Sequence, residues 1–147
     1  MTLPPPPRPG EISALIRLLL ADDTLQVLHD LHQLLELTGL IEIVAEARNG
    51  QEAVRLAAEL SPDAILMDLE MPGMDGYEAT RRIKACQPAP RVVILSVHAG
   101  PAERERARTA GADGFVMKGA DYEILVDAIL GKDEPTTPLN QTKGATS

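Results

Sequence analysis

The chain carries a single cysteine, Cys86, so no disulfide can form within it and the fold must rest on packing alone. One thiol suits a reducing compartment. Tryptophan is absent and the aromatic set is Phe115, Tyr77 and Tyr122, which leaves no stacking platform for a flavin or for nucleic-acid bases. Basic residues are also short, with 14 Lys and Arg against 22 Asp and Glu and a formal net charge of −8. That balance argues against gripping a phosphate backbone and suits a protein that recruits cations. No nucleic acid is expected on this domain. No apolar run approaches the roughly 18–20 residues of a membrane span, and prolines 4–7 stand where a signal peptide needs its apolar core. No membrane contact is expected, and the expected location is cytoplasmic.

What remains is enough for one domain with a sizeable core, since the chain has 147 residues. Residues 1–14 hold five prolines and read as an extended Pro-rich tail. Residues 132–147, rich in Thr, Pro, Gly, Asn and Ser, read as linker or disordered tail. Between them, over 15–131, apolar strand patterns alternate with helical ones. Strands are predicted at Ile16–Ala21, Ile41–Ala47, Ala64–Asp68, Arg91–Ser96 and Phe115–Met117. Helices are predicted from Thr24 toward Gly39, from about Gln51 to Leu60, and over Tyr77–Cys86, Pro101–Ala110 and Tyr122–Leu130. Leu25, Leu28, Leu31 and Leu35 form the apolar stripe of the first helix, with His29, Asp30, Gln33 and Glu36 on its solvated side.

Such alternation makes an α/β fold, a five-stranded parallel sheet with helices on both faces and the strand order 2-1-3-4-5. The mixed apolar and acidic second strand belongs at an edge. The Pro101–Ala110 helix has no large aliphatic residue, so it is expected to be the most loosely held element and a candidate switch.

The stretch Ala64-Ile65-Leu66-Met67-Asp68 is an apolar strand that ends on a carboxylate and breaks into a Pro/Gly loop. In open α/β sheets ligands lie outside the carboxyl ends of the strands. The neighbouring strands end on Asp22-Asp23, Ser96 and Lys118. Three carboxylates in one crevice repel each other unless a cation sits among them, and Mg²⁺ is the hard divalent ion that takes a few oxygen ligands and keeps room for a phosphate oxygen. With Lys118 as a point charge and Ser96 as a hydroxyl donor, the set suits a phosphoryl group, and Asp68 becomes a nucleophile that forms an aspartyl phosphate.

The order Asp-Asp, Met-Asp-x-x-Met-Pro-x-Met-Asp-Gly, a strand-end Ser and Gly-Ala-Asp-Gly-Phe-Val-x-Lys resembles the receiver domain of bacterial two-component response regulators, over roughly residues 16–130. The resemblance implies that Asp68 is the phosphoacceptor, that Asp23 ligates Mg²⁺ directly while Asp22 acts through water, and that the Glu70 backbone carbonyl is a further ligand. It implies that Lys118 pairs with the acceptor or its phosphate, and that Ser96 and Phe115 move together on phosphorylation. The implied partners are a histidine kinase or phosphotransfer protein and, after phosphorylation, either a second copy or another partner through the face near the last two helices.

Gly119 stands where many receivers have Pro, and with Ser96-Val97-His98 and Gly-Ala-Asp-Gly-Phe it points toward the NarL/FixJ subfamily, whose receivers usually precede a LuxR-type helix-turn-helix. Residues 132–147 fit either a linker toward such an output domain or the end of a stand-alone receiver.

Other assignments compete for the same residues. An aspartate-nucleophile phosphatase of the haloacid dehalogenase type would want an Asp two residues after the nucleophile, where this chain has Glu70, and a pseudo-receiver would keep the fold while binding partners without phosphorylation. Asp22-Asp23 as helix caps, Phe115 as plain core, and His98 and the Glu70 side chain as surface groups are the ordinary alternatives for single residues. His29 and His32 read as solvated rather than as metal ligands. The interleaved Glu103, Arg104, Glu105, Arg106 and Arg108 read as a salt-bridged helix surface.

Overall fold

The structure is a computed structural model that describes residues 15–132. The tails read at 1–14 and 132–147 therefore lie outside the described residues, Lys132 excepted. Five strands and five helices alternate: β1 (Ile16–Ala21), α1 (Leu25–Glu36), β2 (Ile41–Ala47), α2 (Gly50–Leu60), β3 (Ala64–Asp68), α3 (Gly76–Lys84), β4 (Arg91–Ser96), α4 (Pro101–Ala110), β5 (Gly114–Met117) and α5 (Tyr122–Leu130). All pairings are parallel and the order is β2-β1-β3-β4-β5, with β2 at an edge as its mixed sequence requires.

The strands read as unbroken apolar runs because both sheet faces are covered. Leu18 and Leu20 of β1, Ala64 and Leu66 of β3, and Val93 and Leu95 of β4 join Leu28, Leu35, Leu125 and Ile129 in the core under α1 and α5. Their neighbours Leu19, Ala21, Ile65, Met67, Val92 and Ile94 point the other way, to Ala53, Tyr77, Ile83 and Ala107 of α2, α3 and α4. This is the two-residue period of a strand dividing its side chains between two cores.

The stripe expected on α1 is narrower than predicted. Leu28 and Leu35 are buried and Leu31 is half-buried against the core, but Leu25 is 61% exposed. Leu28 and Leu35 lie about two turns apart on one line of the helix, while Leu25 and Leu31 flank that line on opposite sides and only the Leu31 flank meets the core. Helix α1 also ends earlier than expected, at Glu36, and Gly39 takes its left-handed φ of 74° in the turn beyond.

Helix α4 buries only Ala107 and Ala110. Two alanines contribute roughly 1–2 kcal/mol of burial, against roughly 3–6 kcal/mol for the two buried leucines of α1. Its ends are nonetheless well set, with Pro101 at the first turn and Gly111 at φ 103° closing the last.

Candidate functional site

Strand register assembles the site. Ala21 pairs with Met67, which sets the next residues, Asp22 and Asp68, level at the carboxyl edge of the sheet. Asp68 pairs with Leu95 and Ser96 with Met117, so Ser96 stands one step and Lys118 two steps further out on the neighbouring strands. The Lys118 N–H donates to the Ser96 carbonyl at 2.7 Å and fixes that step. Carboxylate oxygens of Asp22, Asp23 and Asp68 lie within 4.8 Å of one another, with Asp22 and Asp68 buried and Asp23 open to solvent.

Lys118 Nζ stands 3.3 Å from Asp22 Oδ2 and 3.3 Å from Asp68 Oδ1. The second oxygen of Asp22 accepts the Thr24 N–H at 2.9 Å, so this carboxylate is held from both ends. Thr24 heads α1 as predicted, but its side chain makes no capping bond; its hydroxyl donates to Asp23 Oδ1 at 3.4 Å.

Burial raises the Asp68 pKa, the charge of Asp22 raises it further, and Lys118 with the Glu70 backbone opposes both. Burial also works against the Lys118 ammonium, yet the carboxylates of Asp68 and Asp22 outweigh it and hold its pKa above the ordinary value. Three acids facing one ammonium leave an excess of negative charge, and their oxygens are the donors a hard divalent cation takes.

The switch residues are placed around this edge. Ser96 is buried, and its hydroxyl is engaged with its own loop, donating to the His98 carbonyl at 3.2 Å and accepting the His98 N–H at 3.0 Å. Phe115 is half-buried on the α2–α3–α4 side. At the mouth, His98 Nε2 lies 3.3 Å from Glu70 Oε2, both side chains largely exposed.

The loop between β3 and α3 is held by close backbone approaches that only glycine permits. The Gly76 N–H donates to the Leu69 carbonyl at 3.1 Å, and a β-carbon on Gly50 would stand 2.4 Å from the Met74 carbonyl oxygen. Asp75 caps α3 by accepting the Glu78 N–H at 2.9 Å, which anchors the far end of the loop.

Two expectations about single side chains change, and Tyr77 gains a role that the sequence did not signal. Arg104 and Arg106 do not form a purely salt-bridged surface: their guanidinium carbons lie 4.8 Å and 4.0 Å from the ring centroids of Phe115 and Tyr77, and Arg108 pairs with Glu105. His32 is not merely solvated, since Nδ1 lies 2.8 Å from Glu46 of β2 and Nε2 3.5 Å from Glu36. Tyr77 is buried, and its hydroxyl donates to the Glu103 carbonyl at 3.5 Å, so α4 rests on α3 through this ring.

A parallel sheet of order 2-1-3-4-5 that gathers three carboxylates, a lysine and a serine at one edge defines the CheY-like receiver class of α/β proteins. The chain belongs to the response regulator receiver domain family, matching it over residues 18–130. Among curated relatives, Transcriptional regulatory protein LiaR of Bacillus subtilis is 42% identical over 123 residues, covering 82% of this chain and 58% of that protein. Response regulator GacA of Pseudomonas aeruginosa is 39% identical over 121 residues, covering 78% of this chain and 54% of that protein. This chain thus spans a little over half the length of those relatives.

A LuxR-family two-component response regulator from Aurantimonas sp. SI85-9A1 superposes with a TM-score of 0.76 at 40% identity, covering 80% of this chain and 84% of that one. The signal receiver domain of the putative response regulator NarL from Mycobacterium tuberculosis gives 0.76 at 32% identity, covering 80% and 94%. The chain is a receiver-type signalling module related to transcriptional response regulators. Among the described residues no helix is long and apolar enough to cross a membrane.

Proposed function

We propose that residues 15–131 form a cytoplasmic receiver unit that takes a phosphoryl group onto Asp68 from a histidine kinase or phosphotransfer protein. The observation that carries this reading is the position of Lys118 Nζ, 3.3 Å from both Asp68 and Asp22 inside the acid cluster. An Asp68 oxygen forms the new P–O bond as the donor's P–N bond breaks, and the electron pair leaves with the donor imidazole nitrogen. Lys118 faces the phosphoryl oxygens as their negative charge comes to rest, and the Ser96 hydroxyl turns from its own loop to donate to one of them.

The donor set fits Mg²⁺, with Asp22, Asp23, Asp68 and the Glu70 carbonyl as the groups that would hold it, Asp23 directly and Asp22 through water. When bound, this ion neutralises charge between the acceptor carboxylate and the phosphoryl oxygens. Movement of Ser96 lets Phe115 turn inward, α4 shifts, and the surface of the last two helices receives a second copy or an output domain. The chain's own chemistry is gain and loss of this phosphoryl group, without turnover of a separate substrate. Its kinship with transcriptional regulators supports control of transcription through a LuxR-type helix-turn-helix output.

Intact mass after incubation with acetyl phosphate and Mg²⁺ tests the reading. A hydroxylamine-labile gain of one phosphoryl group, absent in Asp68→Ala and in chelator, is the expected result. No gain, with fold and Mg²⁺ binding intact, means a receiver that signals without phosphorylation.

A further inference from the structure

Helix α4 lies between the loop that follows Ser96 and the ring of Phe115, and its apolar contribution to that position is small. Arg104 supplies what the alanines cannot. Its Nε donates to the Ala99 carbonyl at 3.0 Å while its guanidinium carbon sits 4.8 Å from the Phe115 ring centroid. The Ala99 carbonyl follows directly on His98, whose backbone N–H and carbonyl are both bonded to the Ser96 hydroxyl. A continuous set of contacts therefore runs from the strand-end hydroxyl, through two loop residues and one guanidinium, to the ring.

Building on the receiver reading, we infer that Arg104 is a positioning residue that holds the Phe115 ring in its resting place and ties that place to the loop after Ser96. In the resting arrangement the Ser96 hydroxyl is spent on His98, the loop is fixed, and the guanidinium is aimed at the ring face. Turning Ser96 toward a phosphoryl group breaks both bonds to His98 and frees the carbonyl that aims Arg104, so the ring loses its cation as it turns. A contact biases a two-state equilibrium only when it differs between the states, and this one is present in the resting state alone. Removing it favours the phosphorylated arrangement. The docking of α4 survives, because Arg106 over Tyr77 at 4.0 Å and the Tyr77 hydroxyl on the Glu103 carbonyl hold the helix to α3 independently.

Phe115 is the only phenylalanine of the chain, so 4-fluorophenylalanine incorporation gives a single fluorine resonance that reports on the ring. The probe is beryllofluoride, a tetrahedral phosphoryl mimic, titrated with Mg²⁺ into the full chain and followed by fluorine NMR and calorimetry. Arg104→Ala is expected to bind the mimic about two- to fivefold more tightly, the change that losing an exposed cation–π contact in one state produces. Arg104→Lys, which keeps a cation near the ring, should return part of the difference, and Arg108→Ala should leave affinity unchanged. In a Phe115→Leu background Arg104→Ala should have no effect, since the two residues act as one unit. Unchanged or weaker binding by Arg104→Ala, or the same tightening without the ring, overturns the assignment while the receiver reading stands. A wild-type chain that gives no response to the mimic overturns the receiver reading and this inference with it.

Discussion

Gly76 lies so close to the end of β3 that a β-carbon on it would stand 2.4 Å from the Asp68 carbonyl oxygen and 2.8 Å from the Leu69 α-carbon. The first turn of α3 crosses directly over the residue that carries the acceptor carboxylate. Because Asp68 is buried on a central strand, its backbone has little freedom to yield, so the missing side chain at position 76 sets where the carboxylate points.

Gly76→Ala should therefore cost both stability and labelling. Alanine gains about 1 kcal/mol of helix propensity over glycine, while forcing a methyl group into closed backbone costs about 1–3 kcal/mol. The net loss is expected in a thermal melt, together with a several-fold slower reaction of Asp68 with acetyl phosphate. Gly73→Ala is the control. That residue has φ 75° but nothing within 4 Å of its added β-carbon, so it should lose about 1 kcal/mol and keep its labelling rate. Labelling at the normal rate in Gly76→Ala would mean that the strand end is not positioned by this contact.

The raised pKa of Asp68, caused by burial first and by Asp22 second, makes the metal-free protein sensitive to pH. An acid whose folded pKa lies above its unfolded one keeps its proton longer when folded, so stability falls as pH rises from the unfolded value, near 3.8, through the folded one. That loss is complete once the pH lies above the folded pKa. Asp68→Asn removes it and should melt higher than wild type in chelator at pH 7, with the gap closing as pH falls toward 4. Each kcal/mol gained appears as about 4 °C in Tm for a domain of this size. Mg²⁺ should raise the wild-type Tm at pH 7 and have less effect on Asp68→Asn. A wild type more stable than Asp68→Asn in chelator at neutral pH would show that the Lys118 pairing outweighs burial and repulsion.

The fold was legible because both sheet faces are covered, which leaves uninterrupted apolar strands separated by short turn signals. The acid cluster was legible for a related reason. Parallel strands all end at one edge, so residues far apart in sequence, such as Asp22, Asp68 and Lys118, meet once the strand order is known. Arg104 over Phe115 carried no such signal, because the two lie on separate elements and their meeting depends on how α4 leans on the sheet. Gly76 was visible as the glycine that closes the loop motif, but the reason for it was not, since its requirement comes from a backbone oxygen eight residues earlier. Leu25 fits the spacing of the α1 stripe, yet periodicity does not say which flank of a helix finds a neighbour.

Thr80 is fully buried in α3, and its hydroxyl has no hydrogen-bond partner among the described residues. Leaving a buried hydroxyl unpaired costs about 1–3 kcal/mol, whereas a methyl group of the same shape costs nothing there. Valine has nearly the same volume and nearly the same helix propensity as threonine, so Thr80→Val changes little besides that hydroxyl. The variant should be more stable by about 1–2 kcal/mol in urea, with an unchanged m-value and unchanged labelling of Asp68. Thr80→Ser should move the other way, because it keeps the unpaired hydroxyl and loses a buried methyl worth about 1 kcal/mol. A Thr80→Val midpoint at or below that of the wild type would mean that the hydroxyl finds a partner in solution, and an ordered water beside α3 would then be the group to look for.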